Sequence, residues 1–230
     1  MSSIADNLRR VRDQIDQAAT SAGRDPDKIT LLAVSKTFSA EVVEEAAAAG
    51  QLAFGENRVQ EGAAKVETVG RPELLWHLIG HLQSNKSRLA ARSFDVIQTV
   101  DSLKLAKRLA GHAIEFERRL QVFVQVNVGN EEQKAGVEPA ETDALVAAVE
   151  KLAGLELVGL MAIPPFESDP EKSRPHFSRL RLLLDDLNRG RPQPLTQLSM
   201  GMSGDFRVAL EEGSTVVRLG TAIFGPRAAR

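Results

Sequence analysis

One pattern restricts the fold of this chain more than any other. Short apolar segments at residues 30–36, 53–55, 75–80, 96–100, 121–128, 155–162, 197–200 and 215–220 alternate with amphipathic stretches at 39–49, 57–67, 84–91, 102–114, 138–152, 171–188 and 205–211. The first set is short and rich in Val, Leu and Ile, as strands are when a parallel sheet is covered by helices. The second set repeats its apolar positions at helical spacing. Eight strand–helix units in roughly 200 residues predict a single-domain (β/α)8 barrel, a fold of typically about 250 residues. The competing doubly wound open sheet needs a glycine-rich first turn to grip a dinucleotide, and the turn here reads Lys36-Thr37-Phe38-Ser39. Ahead of the first strand, Ile4, Leu8, Val11, Ile15 and Ala18 mark an extra helix ending before Gly23, read as an N-terminal cover over residues 1–23 of one domain spanning 1–230.

Composition narrows the partners. A net charge of −2 concentrates no basic surface, so neither nucleic acid nor an anionic membrane is an expected ligand. With no cysteine and four scattered histidines, a thiolate or zinc-type metal site is not expected. His77 and His81 are four apart, but on a strand ending in a turn that spacing separates two rings by about 13 Å. No run approaches the roughly 18 apolar residues of a membrane span, and Asp6, Arg9 and Arg10 interrupt the amino terminus where a signal peptide is apolar. A cytoplasmic, monomeric protein acting on a small molecule is the expectation.

In a closed barrel the first strand lies beside the eighth, and functional groups gather at the C-terminal ends of the strands. Strand parity places Leu32, Val34 and Lys36 on one face, and Val216, Arg218 and Gly220 on one face of the last strand. If both faces point inward, two cations meet at the mouth. An amine confined near another cation loses its proton more readily and can then condense with an aldehyde. The loops after strands seven and eight, with Ser199, Ser203 and Gly204 in one and Gly220-Thr221 in the other, form the corner where barrels commonly hold a phosphate. Glu61 and Lys65 read as an exposed helical ion pair, and Lys134, on the rim where it could receive or pass on an aldehyde, reads more simply as a solvated loop lysine.

Longer motifs carry a resemblance across most of the chain. Val34-Ser35-Lys36, Phe54-Gly55-Glu56-Asn57, the run from Trp76 to Lys86, Leu198 to Ser203 and Gly213 to Gly225 resemble the pyridoxal phosphate homeostasis proteins. The resemblance implies a barrel related to the N-terminal barrel of alanine racemase, with pyridoxal 5'-phosphate (PLP) as cofactor, buffered or delivered rather than used in robust turnover. It implies that Lys36 forms a Schiff base, that Arg218 faces the pyridine nitrogen, that Ser199, Ser203, Gly220 and Thr221 hold the phosphate, and that Asn57 and Met161 line the ring. PLP-dependent apoenzymes are then the expected recipients. Arg58 stands where many relatives have an aromatic residue. Two alternatives stay open at this stage: a PLP-dependent amino-acid racemase, and a Schiff-base aldolase or isomerase of sugar phosphates.

Overall fold

The computed structural model describes residues 3–129, 131 and 135–226. After α1 (Ile4–Ser21) the alternation is realised in full: β1 (Thr30–Val34), α2 (Ala40–Ala48), β2 (Ala53–Glu56), α3 (Val59–Val69), β3 (Leu75–Leu78), α4 (Ser87–Ser93), β4 (Val96–Val100) and α5 (Leu103–Glu115). The second half continues with β5 (Leu120–Gln125), α6 (Thr142–Val149), β6 (Leu155–Met161), α7 (Arg174–Asn188), β7 (Gln197–Met202), α8 (Phe206–Glu211), β8 (Val216–Leu219) and α9 (Thr221–Phe224). Every strand pairs in parallel with the next in sequence, and β8 closes onto β1, with Leu32 opposite Arg218. The expected (β/α)8 barrel is the observed fold.

Two apolar layers follow from that closure. Leu32, Val34, Ala53, Ile79, Val96, Phe123, Met161 and Val216 fill the barrel interior, while alternate residues such as Ala33, Phe54, Ile97 and Val217 join the helices in an outer core. All five residues of β4 are buried, as a strand covered on both faces must be.

The amino-terminal helix packs against the outer helices of the barrel. Ser3 and Asp6 form a capping box that satisfies its first free N–H groups. Leu8, Val11, Ile15 and Ala19 are buried against α8, α9 and α2, and the Asn7 amide donates to the carbonyl of Ile223 at 2.8 Å. The four-residue α9 is too short to shield β8 and β1 from water, so α1 completes the outer ring.

Candidate functional site

Lys36 sits just past the end of β1 rather than within it. Ser35 to Phe38 form a turn closed by the Phe38 amide donating to the Ser35 carbonyl at 3.1 Å, with Thr37 held at φ 70°, a conformation strained for a β-branched residue. Both flanks of Lys36 are pinned by neighbouring elements. Behind it, the Ser35 hydroxyl donates to the buried Glu56 carboxylate at 2.7 Å, and the Lys65 ammonium donates to Glu56 at 2.5 Å and to the Ser35 carbonyl at 2.9 Å. Ahead of it, the Thr37 amide donates to Glu61 at 2.8 Å. The expected Glu61–Lys65 pair is therefore not formed. Lys65 points inward because the fully buried Glu56 is a partner that solvent cannot supply, and Glu61 is left to hold the strained turn. Burial pushes the Glu56 carboxyl above its ordinary range, a push opposed by Lys65 and Ser35.

Opposite Lys36, Arg218 on β8 reaches the floor of the mouth and is nearly fully buried. One guanidinium nitrogen donates to the Ser199 hydroxyl at 2.8 Å and another to the Ala162 carbonyl at 2.9 Å. Burial pulls its pKa down to about 10, with Asp205 pulling the other way, so it remains a cation at neutral pH. The β7 strand bulges against β8, a step of three positions from Ser199 to Met202 matching a step of two from Val216 to Arg218. Gly201 permits this: its φ is +92°, and a Cβ there would lie 2.6 Å from that of Ala209. The bulge turns Met202, Ser203 and Gly204 into the mouth, where the Thr221 hydroxyl donates to that of Ser203 at 3.3 Å.

These groups enclose one cavity of about 590 Å3, within the roughly 300–1,000 Å3 of typical small-molecule clefts. Lys36, Asn57, Ser203, Arg218, Gly220 and Thr221 all line it, joined by Phe38, Ile79, Asp205, Ile163 and the run from Pro165 to Glu167. Asn57 is held there by close backbone approach, since a Cβ on Gly80 would lie 2.0 Å from the Asn57 carbonyl oxygen. Its side-chain oxygen is buried with no partner among the described residues.

Two of the expected residues lie one layer lower. Ser199 is fully buried, its hydroxyl taken up by Arg218 and by Gln98, to which it donates at 2.6 Å, so it supports the arginine from below the cavity. Met161 is fully buried in the barrel interior beneath the cavity rather than in its wall. Lys134 lies outside the described residues. Arg58 is exposed at the head of α3, and His81 is an exposed loop residue with Nδ1 3.8 Å from Asp101, while His77 is buried inside the barrel. Among the described residues no cluster of His, Cys, Asp or Glu could hold a metal ion, and no helix is long and apolar enough to cross a membrane. Sequence reasoning passed over Gln98 and the apolar rim. Gln98 was detectable: an amide at an inward position of Val96-Ile97-Gln98-Thr99-Val100 must find a buried partner.

The family model described as alanine racemase, N-terminal domain, matches residues 3–228. A protein named pyridoxal phosphate homeostasis protein from Escherichia coli (strain K12) is 47% identical over 230 residues, covering 99% of this chain and 98% of its own length. The chain belongs to the pyridoxal phosphate homeostasis protein family. Its member from Pseudomonas aeruginosa is 48% identical over 229 residues, covering 99% of this chain and 97% of its own. The structure of PipY from Synechococcus elongatus with PLP bound superposes with a TM-score of 0.85 at 40% identity, over 97% of this chain and all of that one.

Proposed function

We propose that this protein binds PLP and buffers or delivers it to PLP-dependent apoenzymes, holding it through a Schiff base on Lys36. The observation that carries this reading is the convergence of Lys36, Arg218 and the small-residue corner on one cavity, in a chain 40% identical to a relative whose structure contains PLP. The residues suit the ligand. Gly204 leaves open space at the corner formed with Ser203, Gly220 and Thr221, whose hydroxyls suit an anionic phosphate. The unpartnered Asn57 oxygen and the apolar Ile79 and Val34 suit the edge and face of an aromatic ring.

When bound, the cofactor would supply an aldehyde able to condense with an amine, and Lys36 is the amine that would hold it. Everything else is supplied by the chain. The pinned turn presents Lys36, and Arg218 sets a fixed positive charge at the cavity floor. A cation there disfavours protonation of a pyridine nitrogen, which weakens the electron sink needed for carbanion chemistry and favours holding over turnover.

Incubating the purified protein with PLP should give a yellow species. Borohydride reduction followed by peptide mass spectrometry should place the pyridoxyl group on Lys36, and Lys36→Ala should abolish the adduct. A reduced adduct on another lysine with Lys36 unmodified would refute the assignment.

A further inference from the structure

The barrel floor carries a continuous buried hydrogen-bonded chain that crosses four strands. It runs from Arg218 on β8 to Ser199 on β7, at 2.8 Å, then to Gln98 on β4, at 2.6 Å, and ends at His77 Nδ1 on β3, at 2.8 Å. None of the four residues is more than 6% exposed, so water does not substitute for any link. The guanidinium has only donors, so the Ser199 oxygen must accept from it. The single Ser199 proton then goes to the Gln98 carbonyl oxygen, which turns the Gln98 amide nitrogen toward His77. An amide nitrogen only donates, so His77 Nδ1 must present a lone pair and carry its proton on Nε2.

We infer that Gln98 and His77 are positioning residues for Arg218, a neutral imidazole acting as the terminal acceptor that fixes the orientation of every donor back to the guanidinium. Burial, which holds the His77 imidazole down at about 4, agrees with this protonation state. An imidazolium, or the opposite tautomer, would set N–H against N–H2 and force Gln98 to turn over. The Ser199 proton would then lose its acceptor while its oxygen faced a second donor, so the bond from Arg218 would weaken and the Ala162 carbonyl would remain the firm partner. A long side chain held by one bond explores several rotamers, and part of the binding energy for a ligand would then go into ordering it. The chain of bonds thus prepares the cation before a ligand enters. Its consequence for PLP rests on the function proposed above.

Two measurements test it. In unliganded wild-type protein labelled with 15N-histidine, His77 should appear as the neutral Nε2–H tautomer across about pH 5 to 8. An imidazolium or an Nδ1–H signal in that range would overturn the inference without reference to any cofactor. In PLP titrations, Gln98→Met and His77→Phe should weaken binding by roughly tenfold, about 1.4 kcal/mol. They should also alter the ratio of the bound absorption bands, while His77→Gln, which restores an acceptor oxygen, should stay near wild type. Wild-type affinity and spectrum in folded Gln98→Met would overturn it. Should either variant fail to fold by circular dichroism, Ser199→Ala carries the same comparison and the histidine spectrum decides. A wild-type protein that takes up no PLP would sink the proposed function, and the histidine spectrum would still judge the hydrogen-bonded chain.

Discussion

At the residue scale, the most consequential unit besides Lys36 is the Glu56–Lys65–Ser35 cluster beneath it. Removing one partner of a buried ion pair leaves the other charge uncompensated and costs about 3–5 kcal/mol. Lys65→Met should therefore lose about that much stability in urea unfolding at neutral pH, and Lys65→Met with Glu56→Gln should recover a large part of it. The sign of the pH dependence follows from burial, which raises the Glu56 carboxyl in the folded state. A raised carboxyl favours folding most below its unfolded pKa, and that contribution disappears as pH climbs through the folded value. In Lys65→Met, which lacks the opposing ammonium, the gap from wild type should narrow as pH falls toward 4.5, the ordinary glutamate value, and widen above it. A gap independent of pH would show that Glu56 is not the source. Lys36 was legible in sequence because strand parity and the strand end both pointed to it. The inward turn of Lys65 was not, because a helix pattern records which positions share a face and not which buried carboxylate waits across the interface.

At the element scale, the β7 bulge connects sheet geometry to the corner of the cavity where Ser203 meets Thr221. Gly201 has both a left-handed backbone and no room for a Cβ, whereas Gly204 has open space around it. The two should separate. Gly201→Ala forces the bulge to shift and should lower stability by about 1–3 kcal/mol, together with PLP retention. Gly204→Ala should leave the thermal midpoint nearly unchanged, within about 0.5 kcal/mol, while its methyl narrows the corner and weakens PLP binding. Equal loss of stability in both variants would contradict this account. In the sequence, Ser199 and Ser203 looked equivalent, two hydroxyls in one glycine-rich segment. The bulge separates them, placing Ser203 in the cavity and leaving Ser199 beneath it on Gln98 and Arg218.

At the scale of the whole molecule, closure of the barrel decides what each end of the chain does. Because β8 is followed, among the described residues, only by the short α9, the outer ring is completed by α1, so that helix belongs to the core. Leu8, 1% exposed, should behave as a central core residue: Leu8→Ala should cost about 2–5 kcal/mol in chemical denaturation, the range for truncating buried leucines. A loss below 1 kcal/mol would mean that α1 is a detachable cover. By itself the sequence determined the order and type of the elements, and through them the barrel and the meeting of Lys36 with Arg218. Apolar periodicity is a local property, and a closed parallel sheet leaves its first and last strands only one place to pair. Tertiary structure alone decided which polar groups face the cavity and which support it from below. The partners of Ser199, Lys65 and Gln98 lie across strand and helix interfaces, where register, a bulge and the cost of burying an unpaired charge select the contact.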